Sequence, residues 1–383
     1  MKPVTYKEYD KYYRLARNPF RLLTSKKLNF TGDPLPEVTS PMFVLCNHNT
    51  DFDFMILMGM SRNPLEFVAT ETMLRMGKIQ NYLAKRFNLI LHDKGSKGAA
   101  TIKQIVTRIK DGRNVVLFPE GNRSFDGKSG EISPAIAKIV KMTEATLVVY
   151  KLEGGYLTTP RWGRKIRKGK MTGKLMSVIS PEEVRKMPVK ELQTLIEKDL
   201  FTDAYEEQKT GQVAFKSKVR AEYLETLLFS CPKCRKIGTL KSKKNILSCN
   251  CGYKAKLDEY GYLFENENKK LSITGAVEDQ KKYLNEIVAG SGDKSIWSDN
   301  VYASKLTNEE TIEKNIETTI TAFKDAITIG SDRFTRESIT SIDIVQRNRL
   351  IIHVKGCDHR YEFTGDITFN AFKYRLWHGI SFA

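Results

Sequence analysis

Long hydrophobic runs are missing from this chain. The longest apolar stretch near the first motif described below is Phe54–Met60, far short of the roughly eighteen residues a spanning helix needs, so no transmembrane segment is expected. The start, Met1-Lys2-Pro3-Val4-Thr5-Tyr6-Lys7, lacks an apolar core followed by a small-residue cleavage site. The expectation is therefore a protein without a secretory signal that stays in the cytoplasm. Cysteine is scarce, with 6 in 383 residues, and in a reducing compartment a disulfide framework is not expected. Acidic residues are too few to balance the basic ones. Asp and Glu number 45 against 63 Lys and Arg, a formal net charge of +18, which selects for polyanionic partners: nucleic acid, an anionic membrane surface or a phosphorylated substrate. Signs of disorder are also absent, since 40% hydrophobic and 28% charged residues are ordinary for a folded chain long enough for two or three domains.

What is present begins with Asn47-His48-Asn49-Thr50-Asp51-Phe52-Asp53, which directly follows the apolar run Met42–Cys46. If that run is a buried strand and a helix starts near Thr50, His48 sits at the strand's end with Asp53 about one helical turn further on. A carboxylate so placed can hold the imidazole by one ring nitrogen while the other takes a proton from a hydroxyl. A second buried-strand pattern, Val115–Phe118, runs into Pro119-Glu120-Gly121-Asn122-Arg123-Ser124.

Together the two blocks resemble the lysophospholipid acyltransferase family, which includes glycerol-3-phosphate and 1-acylglycerol-3-phosphate acyltransferases. Asn47, His48, Thr50 and Asp53 match its first block, with Thr in the usual Ser position. Phe118, Pro119, Glu120, Gly121, Arg123 and Ser124 match its third, with Asn122 replacing Thr. In Leu91-His92-Asp93-Lys94, Lys94 stands where the family carries Arg, keeping the charge but losing the bidentate fork. The resemblance covers about residues 29 to 200.

It implies His48 as general base and Asp53 as its orienter. Asn47, Lys94, Glu120, Gly121, Arg123 and Ser124 would serve the acceptor, Arg123 with a planar fork suited to phosphate. It also implies acyl-CoA or acyl-carrier protein as donor, a lysophospholipid or glycerol phosphate as acceptor, and a peripheral place on the inner face of a membrane. No cofactor enters the chemistry. The rival reading is a nucleic-acid-binding or scaffold protein with a degenerate acyltransferase domain. Intact His48 and Asp53 speak against it.

Two basic segments suit a membrane surface. Arg161, Arg164, Lys165, Arg167, Lys168, Lys170 and Lys174 crowd a stretch without an acidic residue, with Trp162 among them as a headgroup-seeking aromatic. Near the start, Tyr6, Tyr9, Tyr13, Ala16 and Phe20 recur at helical intervals amid basic residues. That aromatic side either packs on the domain or lies in a membrane interface.

Further on, Cys231-Pro232-Lys233-Cys234 and Cys249-Asn250-Cys251 form two close pairs. Four thiolates in this spacing can close a tetrahedral zinc site with no open position, hence structural zinc. The pattern predicts an α/β architecture in three parts. Residues 1–228 form a mainly parallel sheet acyltransferase-like domain with helices at 99–111 and 134–142, and 229–265 a small zinc ribbon. Residues 266–383 form a helical connector (273–288) and a mostly antiparallel β domain, with strands at 326–330, 339–345, 349–354 and 360–363 and a closing helix at 369–379. Strands followed by a terminal helix resemble a pleckstrin-homology fold.

Overall fold

The computed structural model describes residues 5–70, 86–92, 98–266, 268–307 and 311–380. The chain divides into two compact units, Met1–Pro160 with Ile166–Lys216, and Arg161–Lys165 with Ser217–Ala383.

The first unit opens on helix α1 (Tyr6–Leu28). Thr5 and Glu8 form a reciprocal capping box at its start, and Asn29 ends it in the left-handed region at φ 50. The strands are β1 (Phe30–Gly32), β2 (Met42–Cys46), β3 (Leu65–Thr70), β4 (Ile90–His92), β5 (Asn114–Leu117), β6 (Thr146–Glu153) and β7 (Met171–Ile179), and α2 (Asp53–Met60) follows β2. They form one sheet in the order β1-β7-β6-β2-β5-β3-β4. The five strands from β6 to β4 run parallel to one another. β7 is antiparallel to β6 and carries β1 parallel beside it, so the sheet is mixed at this edge.

β2 is buried on both faces because its side chains alternate between two cores. Met42, Val44 and Cys46 pack with Tyr9, Tyr13, Ile56 and Leu57 from α1 and α2. Phe43 and Leu45 pack with Ile105 and Ile109 of helix Ala99–Lys110, Val140 of helix Ile136–Thr143, and Leu192 and Ile196 of helix Val189–Leu200. The aromatic side of α1 is thus turned inward: the Tyr9 hydroxyl donates to the Leu65 carbonyl and the Tyr13 hydroxyl to that of Met58. Of the two placements open to it, burial is the one observed. The opposite face carries exposed Lys7, Lys11, Arg14, Leu15, Leu22 and Lys26.

In the second unit β8 (Leu240–Lys243), β9 (Ile246–Cys249), β10 (Lys254–Leu257), β11 (Tyr262–Asn266) and β12 (Lys269–Ser272) form an antiparallel meander. The helix Ile273–Gly290 is more than a connector. It buries Ile273, Val277, Leu284 and Val288, and its Gln280 amide bonds the Phe229 N–H and the Leu227 carbonyl. A seven-stranded antiparallel sheet follows: β13 (Trp297–Leu306), β14 (Thr311–Ala322), β15 (Ala326–Ile329), β16 (Asp332–Thr335), β17 (Ile339–Val345), β18 (Arg349–Val354) and β19 (Arg360–Thr364), in the order β16-β15-β14-β13-β19-β18-β17. Helix Phe372–His378 ends the described chain, with Trp377 and Tyr374 in the core.

The basic segment around Trp162 departs from expectation. Arg161, Trp162 and Arg167 are buried, and the Arg161 guanidinium donates to the carbonyls of Ile344 and Gln346. A guanidinium fork satisfies buried carbonyls as readily as it meets phosphate. Trp162 is therefore not a headgroup anchor, and of the basic residues of this segment only Arg164, Lys165, Lys168, Lys170 and Lys174 reach solvent.

Candidate active site and cysteine cluster

The loop between β2 and α2 lies at the C-terminal end of the central strand, where ligands gather in parallel sheets. Asn47 pins it. Its fully buried amide imitates a strand partner of Leu152 on β6, donating to the Leu152 carbonyl at 2.8 Å and accepting its N–H at 2.7 Å. Asn49 donates to the same carbonyl at 3.0 Å. Just beyond β6, a Cβ on Gly155 would fall 2.8 Å from Thr50 Cγ2 and 2.9 Å from Asn49 Cβ, so this close approach requires glycine.

With the loop held, His48 Nδ1 lies 2.8 Å from Asp53 Oδ2, and its ring stacks on Phe118 with centroids 4.5 Å apart. The Asp53 carboxyl has no exposed surface, whereas the His48 side chain is 27% exposed. Asp53 Oδ2 also accepts the N–H groups of Asn49 and Thr50 at 2.8 and 2.9 Å, and Oδ1 the Thr50 hydroxyl at 2.8 Å. Four donors converging on one carboxyl leave it little rotational freedom. It accepts a hydrogen bond from Nδ1–H, which favours the tautomer with the lone pair on Nε2.

Glu120 bonds the protein's own backbone. Its Oε1 accepts the His48 N–H at 3.0 Å and its Oε2 the Gly130 N–H at 2.8 Å. Burial pushes its carboxyl up to about 7 against the pull of those two N–H groups. A carboxyl raised above its unfolded value contributes stability that is complete below that value and lost as pH rises through the folded one. Between about pH 4.5 and 7 the wild type should therefore lose roughly 2–3 kcal/mol relative to Glu120→Gln. Thermal unfolding at several pH values checks this. Parallel profiles for the two proteins would refute it.

Ser124 is similarly internal. Its N–H donates to the His48 carbonyl at 3.1 Å, its hydroxyl donates to the Lys128 carbonyl, and its oxygen accepts the Gly127 N–H. Gly121 turns the chain at φ +65 and closes on the Phe118 carbonyl at 3.1 Å. Arg123 reaches across the loop: Nη1 meets Asp51 Oδ1 at 2.5 Å, and Nη2 donates to the carbonyls of Thr159 at 2.6 Å and Asn49 at 3.4 Å. Lys94 lies outside the described residues.

Of the residues expected to serve an acceptor, Asn47, Glu120 and Ser124 thus bond backbone groups of the protein itself, Asn47 on β6 and the other two in the loops around His48, and Arg123 stands at the rim. Asp51, Phe118 as a stacking partner, Leu152 and Thr159 were not anticipated as site residues. Leu152 and Thr159 act through backbone atoms, which carry no side-chain signature.

In the second unit the sulfurs of Cys231, Cys234, Cys249 and Cys251 all lie within 4.8 Å of one another. Cys231 is 3.6 Å from Cys251, and Cys234 is 3.8 Å from Cys249. A tetrahedral ion with about 2.3 Å bonds to sulfur requires sulfurs about 3.8 Å apart, so the spacing fits a metal. Cys46 and Cys357 are not part of this group.

Among curated proteins, none matches the chain. One solved structure similar to it is the 1-acyl-sn-glycerophosphate (LPA) acyltransferase PlsC from Thermotoga maritima. It is 19% identical with a TM-score of 0.44, covering 52% of this chain and 81% of that one. Residues 27–151, which span both motif blocks, match the family described as Acyltransferase. The match covers 125 of the 383 residues.

Proposed function

We propose that the protein is a glycerolipid O-acyltransferase that moves a fatty acyl group from acyl-CoA or acyl-carrier protein to a hydroxyl of a lysophospholipid or glycerol phosphate. The observation that carries this reading is the His48–Asp53 pair within an acyltransferase-family domain. Nε2 of His48 takes the acceptor's hydroxyl proton as that oxygen attacks the thioester carbonyl carbon. The tetrahedral adduct expels the thiolate, and the imidazolium returns the proton to the leaving sulfur, giving ester and thiol. Asp53 holds the ring and stabilises the imidazolium. Arg123, at the rim, receives the acceptor's phosphate. Asn47, Glu120 and Ser124 keep the loop in shape. Labelled acyl-CoA incubated with a panel of lysophospholipids and glycerol phosphate tests the reading: label should appear in a diacyl or monoacyl product. Release of free fatty acid alone, with no acceptor acylated, would overturn it.

The four cysteines hold one structural zinc in this reading, since soft sulfur ligands in a closed tetrahedron favour that ion. The seven-stranded sheet with its terminal helix is pleckstrin-homology-like, two meanders of four and three strands joined through β13 and β19.

Attachment to an anionic membrane follows from the lipid substrate and the outer face of α1, where Lys7, Lys11 and Lys26 flank exposed Leu15 and Leu22. Each such charge near an anionic surface contributes about 1 kcal/mol before screening. Replacing the three lysines with glutamine should weaken sedimentation with anionic vesicles about tenfold or more, and high salt should release the wild type. Equal binding to neutral vesicles would contradict the electrostatic account.

A further inference from the structure

The Arg123–Asp51 pair joins two unlike environments. The Arg123 side chain is 11% exposed and the Asp51 side chain 62%. One end of the guanidinium is anchored to the carbonyls of Thr159 and Asn49, so its position is set by backbone. The other end, Nη1, is capped by a carboxylate that stands largely in solvent. An anion approaching Nη1 from solvent meets Asp51 already there. Two anions cannot share one guanidinium edge without like-charge repulsion, so one displaces the other.

We propose that Asp51 is an internal competitor for the anionic group of the acceptor, a specificity-determining residue whose carboxylate occupies the Arg123 fork until a phosphate ester displaces it. The proposal rests on the reading of Arg123 as the phosphate-binding residue. Asp51 lies three residues after His48, and Arg123 also touches the Asn49 carbonyl one residue after it, so displacement happens beside the proposed base. The rim charge thereby filters acceptors. A dianionic phosphate ester, with more charge and more acceptor oxygens than one carboxylate, wins the fork, whereas a neutral or weakly anionic hydroxyl compound does not. Since a half-exposed ion pair stabilises little, the competition is mild and reversible.

The test is titration calorimetry of the full-length wild type, Asp51→Asn, Arg123→Ala and Arg123→Lys with sn-glycerol 3-phosphate and a detergent-dispersed 1-acylglycerol 3-phosphate. Folding of each variant is checked by circular dichroism. Asp51→Asn keeps the shape and removes the rival charge, so it should bind both esters about threefold to fivefold tighter. Arg123→Ala should bind them tenfold to a hundredfold more weakly, and Arg123→Lys, which retains charge without the fork, should fall between. If the Arg123 variants lose affinity as expected while Asp51→Asn binds like wild type or more weakly, the competitor role is overturned and the Arg123 role stands. If folded Arg123→Ala or Arg123→Lys binds like wild type, or if no protein binds either ester, the phosphate role of Arg123 falls and the proposal with it.

Discussion

Replacing His48 by alanine is expected to lower acyl transfer by about two to four orders of magnitude in a protein that stays folded, because the proton acceptor is removed and little else. The ring is 27% exposed and stacks on Phe118, and without it Asp53 keeps the Asn49 and Thr50 donors, so the loss of stability should be small beside the loss of turnover. Asp53→Asn should come close to the same defect by a different route. An amide in place of the carboxyl no longer fixes the imidazole in the tautomer with its lone pair on Nε2, and it withdraws the charge that stabilises the imidazolium. Because Asp53 also accepts the N–H groups of Asn49 and Thr50, this variant should lose some thermal stability as well. A folded His48→Ala protein with near wild-type turnover would sink the mechanism.

The second large effect concerns the cysteines. Chelator-free, reduced protein should carry about one zinc per chain by elemental analysis, and Cys249→Ser or Cys231→Ser should lose most of it. Structural zinc in comparable four-sulfur sites contributes on the order of 10–16 kcal/mol of binding free energy at neutral pH, and that energy is folding energy. Strong chelators should therefore melt the β8–β12 meander, seen as lost protection of its backbone amides in hydrogen exchange. The sheet is small: of β8–β10, Leu240, Leu247, Ala255 and Leu257 reach the interior. A core of that size seldom folds without a staple. Reduced protein that carries no metal and keeps those amides protected would remove the zinc.

Much of the first unit was legible in order because buried strands and motif loops follow each other closely. The apolar run Met42–Cys46 is β2 to the residue, and Ile339–Val345 and Arg349–Val354 are β17 and β18 as expected. The helix expected to begin near Thr50 starts at Asp53 instead, since Thr50 and Asn49 turn their N–H groups onto the Asp53 carboxyl rather than entering the helix. β14 has a weaker sequence signal for a different reason. From Thr311 to Thr319 it is exposed or only partly buried, and period-two alternation cannot arise where neither face is buried.

By itself the sequence determined the chemistry available: an imidazole and a carboxylate five residues apart at a strand's end, an arginine in the third block, four thiols at metal-binding spacing. Residue type and local spacing suffice for that, because His48 and Asp53 meet within one loop and one helical turn. Which of the neighbouring polar residues face a ligand was decided only in three dimensions. Asn47 and Leu152 lie 105 positions apart in the chain, and Glu120 and His48 lie 72 apart. Only when β2 is laid between β5 and β6 does the Asn47 amide reach the buried Leu152 backbone groups, which would otherwise go unsatisfied, and the Glu120 carboxyl reach the His48 N–H. The same rule took Arg161 out of solvent: the buried Ile344 carbonyl needed a donor, and a guanidinium from a distant loop supplied it.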